Sequence, residues 1–214
     1  MDTLFFIIIL IMSVVIHELC HGFMADFLGD RTARYAGRLT LNPLKHLDPF
    51  GSIILPGMLY LGSLVTGHSF IFGWAKPVPY NPHNLKNEKW GGIAVASAGI
   101  LANLSIACIF GILIHLAPSL GFPVYDPVNI DAFYKITIEI VLINISLALF
   151  NLVPIPPLDG SKILYPLLPG FLRPVTLLIE QYSLIALLVF VIFFSNYLYP
   201  VLSILFHGIT GLYI

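Results

Sequence analysis

Two histidines four residues apart flank a glutamate at the end of an almost unbroken apolar run: His17-Glu18-Leu19-Cys20-His21. On an α-helix, positions i and i+4 lie one turn apart on one face, so both imidazoles can grip a single metal ion. Glu18, beside them, has the character of a general base. The setting is costly. Residues 4–16 are apolar except for Ser13, and a charged group at a bilayer centre costs roughly 2.5–3.5 kcal/mol on insertion scales. A chain that places three ionisable groups at that depth has a use for them.

Two imidazoles leave a catalytic zinc site one protein ligand short, because such sites combine three ligands with water. Asp159 is the strongest candidate for the third. It closes the run Asn151-Leu152-Val153-Pro154-Ile155-Pro156-Pro157-Leu158-Asp159-Gly160. Three prolines unwind the helix that precedes it, and Gly160 permits a tight turn beyond. A plainer reading exists for each residue. Paired buried histidines can hydrogen-bond across helices, Glu18 can be a structural carboxylate in a polar cavity, and Asp before Gly is a common turn former.

The elements that must position these groups belong to a membrane protein. Of 214 residues, 58% are hydrophobic and 10% charged, against about 25% charged in soluble domains. The net charge is -1, and no basic patch supports a nucleic-acid partner. Cys20 and Cys108 both fall in apolar segments without disulfide or thiolate-site spacing. The residues before the first apolar run carry Asp2 and no Lys or Arg, the wrong sign for a cleaved signal peptide. That run is therefore read as a retained helix over 4–27.

Further apolar stretches cover about 50–72, 91–117, 136–153, 175–194 and 197–214, and about 20 residues suffice for one crossing. The polar segments 31–48, 73–90 and 155–174 carry all the Lys and Arg but Lys135, whereas 118–135 is acidic, with Asp126 and Asp131 against Lys135. The positive-inside rule places the first three in the cytoplasm. Residues 50–72 then lie between two inside segments and are expected to form a re-entrant hairpin. Residues 35–41 read as a short strand.

The expected fold is an all-α polytopic membrane protein of about five transmembrane helices, with the hairpin and short membrane-associated strands. It forms one domain over 1–214, with a catalytic core at about 4–165 and a C-terminal helix pair at about 175–214. The histidines and Asp159 can meet only if segments 4–27 and 136–153 run parallel. The charge rule gives that arrangement independently and puts the site toward the cytoplasmic side.

His17-Glu18-Leu19-Cys20-His21 together with Asn151…Pro154…Leu158-Asp159-Gly160 resembles the site-2 protease family of intramembrane zinc metalloproteases. Asp48-Pro49-Phe50-Gly51-Ser52, Phe72-Gly73-Trp74-Ala75-Lys76-Pro77-Val78-Pro79 and Ala98-Gly99-Ile100-Leu101-Ala102-Asn103 stand between them in the family's order. The similarity covers roughly 13–165 and is to the compact prokaryotic branch, without PDZ or cystathionine-synthase-like domains. One position departs: Ile100 stands where the family usually has proline.

The resemblance implies one Zn2+ per chain, held by His17, His21 and Asp159, with Glu18 as the catalytic base. It implies that Asn151 faces the site and holds substrate backbone or oxyanion. Asn103 is a second candidate for that role or, equally, an interhelical hydrogen-bond partner; Asn144 is read as structural. The implied partners are the lipid bilayer and membrane proteins with a transmembrane segment, cleaved in regulated intramembrane proteolysis at a prokaryotic plasma membrane. The substrate would unwind near its cytoplasmic end and pair with an edge at 35–41 or 73–80. A zinc transporter would spread ligands over more helices and leave Glu18 without a role. A non-proteolytic helix-binding protein would not need Glu18 either.

Overall fold

Within lipid, backbone polar groups must find partners in their own segment, so long apolar runs fold as helices. The computed structural model describes residues 3–54, 58, 75–128 and 130–213. Helix α1, Thr3–Phe27, carries His17, Glu18 and His21 in its second half. A short α2, Thr32–Tyr35, follows. Helix α3, Glu88–Leu116, starts where the Asn87 side chain accepts from Trp90 N–H, satisfying one of the free donors of the first turn. Helix α4, Ala132–Leu152, starts on Asp131 in the same way. It stops at Val153, whose extended backbone (φ -62°, ψ 129°) is what a following proline imposes.

The side chains fix relative direction. His21 lies against Val95, and His17 against Asn103, so α1 and α3 are antiparallel. Ser13 meets Asn144 and His17 meets the residue that follows α4's prolines, so α1 and α4 run parallel. The metal-motif half of α1 and the proline-terminated end of α4 therefore share one end of the bundle. At its other end, Ala107, Ile114, Tyr134, Val141, Ile145 and Phe206 form a buried apolar cluster.

Among the described residues, four helices are long and apolar enough to cross a membrane: Leu4–Phe27, Glu88–Leu120, Ala132–Leu152 and Ser183–Thr210. Their outer faces present Ile7, Ile8, Leu101, Ile109, Ile112 and Ile192 to the surroundings. A surface so apolar belongs in lipid, and the chain is an integral membrane protein.

Two expectations are corrected. The C-terminal pair divides near Tyr182 rather than between 194 and 197, and of its two parts only Ser183–Thr210 is long enough to cross a membrane. After α5, Asp159–Leu164, comes α6, Arg173–Gln181. Its nine residues reach about 13 Å at 1.5 Å per residue, less than half a bilayer. A second helical run then passes from α7, Ser183–Val189, through the Ser195–Tyr197 turn into α8, Leu198–Thr210. Phe190 touches Phe150 and Phe206 packs near Tyr134, so this run follows α4 from end to end and does not turn back at Ser195-Asn196.

Nor is 35–41 a strand; among the described residues there is none. Tyr35 ends α2, and Gly37 takes a left-handed φ of 62°. Gly37 N–H donates to Arg34 O and Arg38 N–H to Ala33 O, the paired bonds of a Schellman helix stop. The expected hairpin, over 50–72, lies mostly outside the described residues, which include only 50–54 and 58 of it.

Candidate metal centre

Three buried side chains converge where α1, α3 and α5 meet. His17 Nε2 and His21 Nε2 are 3.0 Å apart, and Asp159 Oδ2 lies 3.1 and 3.0 Å from them. The residues are 5, 8 and 4% exposed respectively. The imidazoles meet edge to face, with centroids 4.6 Å apart.

Each element has a local reason to place its group. The i, i+4 spacing puts both rings on the face of α1 that looks at α3. That face is open because α3 carries Gly99. A Cβ there would stand 2.6 Å from His17 Cε1, His21 Cε1 and His21 Nε2. Asp159 opens α5 immediately after the prolines. Gly160 is needed for proximity, not for a special turn: a Cβ on it would come 2.1 Å from Leu152 O, so only glycine lets α5 fold back against the end of α4.

The far sides of the three ligands are also fixed. His21 Nδ1–H donates to the Val95 carbonyl at 2.7 Å, and His17 Nδ1 lies 2.7 Å from Asn103 Oδ1. Lys162 Nζ donates to Asp159 Oδ1 at 3.1 Å, leaving Oδ2 for the centre. Burial opposes ionisation of Asp159, but His17, His21 and the Lys162 ammonium outweigh it and hold its carboxyl well below the usual carboxylate range.

The donor chemistry fits zinc. A backbone carbonyl only accepts, so His21 in its neutral form carries its proton on Nδ1 and turns the Nε2 lone pair inward. At 3.0 Å, the two Nε2 atoms are too close for both to bear protons. Two ring nitrogens and a carboxylate oxygen, mutually close and mostly without protons, need a shared cation. A tetrahedral zinc with bonds of about 2.0–2.2 Å keeps its ligand atoms roughly 3.3–3.6 Å apart, a few tenths wider than these separations. A hydrogen-bonded acceptor behind each imidazole is the usual support for such a ligand.

Glu18 turns elsewhere. Its Oε2 accepts the Val78 N–H at 2.9 Å, from a segment over 75–85 that lies along α1. Arg38 Nη2 donates to Lys76 O at 2.8 Å and Pro77 O at 3.3 Å, and Lys76 N–H donates to His46 O. Gly22 makes room, since a Cβ there would meet Leu39 Cδ2 at 2.6 Å and Val78 Cγ1 at 2.8 Å. Farther along, Asp30 accepts from Asn81 N–H at 2.6 Å and Asn84 Nδ2 at 2.9 Å. Burial opposes its charge, but hydrogen bonds from Thr32, Asn84 and Asn81 outweigh that and hold its carboxyl below the usual range.

Of the residues singled out from sequence, the structure thus brings together His17, His21, Asp159 and Asn103. Glu18 faces the 75–85 segment. Asn151 is half-buried and its Nδ2 donates to Leu147 O of its own helix at 2.9 Å. Sequence reasoning missed Val95 O, the Val78 N–H and Lys162. Only Lys162 carried a signal, its i+3 spacing from Asp159 on a helix.

The chain is similar in sequence to known proteins. The chain matches Peptidase family M50 over residues 5–138 and 126–194. It is 40% identical over 203 residues to the Bacillus subtilis (strain 168) protein named "Putative zinc metalloprotease YwhC", covering 93% of this chain and 86% of that one. It is 31% identical over 157 residues to the Mycolicibacterium smegmatis (strain ATCC 700084 / mc(2)155) protein named "Putative zinc metalloprotease Rip2", covering 73% of this chain and 54% of the relative. A Mycobacterium tuberculosis (strain ATCC 25618 / H37Rv) protein of the same name is 26% identical over 208 residues, 94% of this chain and 69% of that one. No solved structure matches the chain.

Proposed function

The chain belongs to peptidase family M50, the site-2 protease family, and from that premise we propose that it hydrolyses peptide bonds in or near the transmembrane segments of other membrane proteins. The observation that carries this reading is the convergence of His17 Nε2, His21 Nε2 and Asp159 Oδ2 within about 3 Å of one another, with Glu18 on the same helix. His17, His21 and Asp159 would hold one Zn2+. When bound, zinc polarises a carbonyl and makes water acidic enough to attack near neutral pH.

Glu18 takes the proton of the attacking water and delivers it to the leaving amine. Val78 N–H holds Oε2, which orients the carboxylate and leaves Oε1 for that proton. Asn151 supplies a donor to the substrate backbone or to the developing oxyanion, exchanging its bond to Leu147 O for one to substrate. Asn103 acts behind His17 rather than on substrate. A helical substrate has its carbonyls occupied by internal hydrogen bonds, so the segment to be cut unwinds before it enters.

The biological setting we propose is regulated intramembrane proteolysis at a prokaryotic plasma membrane. The Lys and Arg of 31–48, 73–90 and 155–174 support a cytoplasmic position for the end of the bundle that holds the site.

The test is cleavage of a transmembrane-segment reporter by the purified protein in detergent, wild type against Glu18→Gln, with and without a chelator. Cleavage by wild type alone, lost on chelation and restored by zinc, is expected. Cleavage that survives both Glu18→Gln and chelation would refute the proposal.

A further inference from the structure

A buried polar chain runs away from the metal centre through three membrane helices. Asn103 on α3 is fully buried, as is Asn144 on α4. Asn103 Nδ2 donates to Asn144 Oδ1 at 3.1 Å. Asn144 Nδ2 donates to Ile140 O at 2.9 Å and to Ser13 Oγ of α1 at 3.0 Å. Each amide has one accepting end and one donating end, so the chain has a direction.

That direction is set at its far end. Ile140 O is a backbone carbonyl and can only accept. Asn144 must therefore turn its NH2 toward Ile140 and its oxygen toward Asn103. With its NH2 drawn to that oxygen, Asn103 must present Oδ1 to His17. An oxygen at 2.7 Å requires the proton on His17 Nδ1. The neutral His17 is then left with its lone pair on Nε2, the atom 3.0 Å from His21 Nε2 and 3.1 Å from Asp159 Oδ2. His21 needs no relay, because Val95 O faces its Nδ1 directly.

We propose that Asn144 is a positioning residue for the metal centre: anchored on Ile140 O, it orients the Asn103 amide and so fixes the ring nitrogen by which His17 binds metal. This rests on the zinc-site reading above. Without Asn144 the Asn103 amide could rotate, offer its NH2 to His17, and favour the tautomer whose proton sits on Nε2. Ser13 Oγ can either donate or accept, so it does not set the direction.

The full chain in detergent is tested with zinc by chelator competition, and with Co2+ by the visible spectrum of the substituted site. Asn144→Leu should weaken zinc binding by about tenfold, the lower end of the usual effect of ligand supports, and shift the cobalt bands. Asn103→Leu should do at least as much. The double variant should bind no worse than Asn103→Leu, because the relay is already cut. Ser13→Ala should bind zinc within about twofold of wild type. If Asn144→Leu does not fold, Asn144→Ser takes its place with the same expectation.

Zinc binding unchanged in the Asn144 variant, losses that add in the double variant, or an equal loss in Ser13→Ala would each overturn the relay while leaving the metal site standing. A wild-type protein that binds neither metal would instead bring down the zinc-site reading, and the relay with it.

Discussion

The two sides of the His17–His21 turn are held by different kinds of structure. The imidazoles face α3, and everything behind them is buried helix: Val95 O, Asn103 and the glycine surface at Gly99. Glu18 faces a connection over 75–85, which is tied down by side chains from other loops, Arg38 and Asp30 among them. A metal site must hold its ligand atoms within tenths of an ångström, and packed helices with internally satisfied polar groups do that. Glu18, the proposed base, would have to work on an incoming chain, and it sits where backbone is not committed to a helix. The contrast implies that damage on the helical side should appear as lost metal, and damage on the loop side as lost turnover with metal retained.

The largest effects should draw that line within one turn of α1. His21→Ala and Asp159→Ala should each abolish high-affinity zinc binding and, with it, all reporter cleavage. Glu18→Gln should keep one zinc per chain, measured by metal analysis after dialysis, while cleavage falls by about 10²–10⁴-fold, the usual worth of a general acid–base group. A Glu18→Gln protein that lost its zinc would break the comparison, because Glu18 would then belong to the ligand side.

Next is a change that adds one methyl group. Gly99→Ala places a Cβ 2.6 Å from atoms of both imidazoles, and both rings must move. Zinc affinity should drop by at least about tenfold, as it does when the supports of a ligand are disturbed. Turnover per bound zinc should drop less. Wild-type affinity in Gly99→Ala would show that the helical side is softer than its packing suggests.

The same contrast explains what could be read in the sequence. The meeting of His17, His21 and Asp159 was legible because helix period and proline punctuation are local patterns, and the parallel course of α1 and α4 followed from loop charges. The hold on Glu18 was not legible: Val78 is sixty residues away and contributes a backbone N–H, which any residue but proline possesses. The strand read at 35–41 is a helix stop instead, because Gly37 takes a left-handed φ of 62° and closes the Schellman bonds. The break expected between 194 and 197 is absent, because the backbone there stays near helical values (Ser195 φ -58°, ψ -34°). Asn103 could be read as a substrate contact or as an interhelical partner. Only the position of His17 Nδ1 shows which groups its amide meets.

On the loop side, Arg38→Met should sharpen the comparison. Arg38 is buried, and its guanidinium holds the Lys76 and Pro77 carbonyls immediately before the N–H that Glu18 accepts. Losing those bonds should free the 75–85 segment to drift from Glu18. We expect cleavage to fall by about tenfold, equivalent to roughly 1.4 kcal/mol in the barrier, with zinc affinity unchanged. Loss of zinc in step with activity would mean that the two sides are one unit.

The smallest effect should come from Asp30, which ties the end of α1 to the far part of the same segment. Asp30→Asn keeps an acceptor for Asn84 but puts an NH2 where Asn81 N–H needs an oxygen. A hydrogen bond to a charged group contributes about 1.5–3 kcal/mol, and in a chain of this size each kcal/mol moves the melting temperature by about 2–4 °C. The sign with pH follows from the carboxyl being held below its usual range. Its contribution is fully present above the unfolded-state pKa of about 3.9 and is lost as pH falls through the lower folded-state value. Melting temperatures of wild type and Asp30→Asn should therefore differ by about 5 °C at neutral pH and converge as pH falls through the lowered folded-state value of Asp30, with zinc affinity untouched at neutral pH. A gap that persisted in acid would place the role of Asp30 in its shape rather than its charge. It would also weaken the case that this connection is held to α1 by charged hydrogen bonds where the ligand side is held by packing.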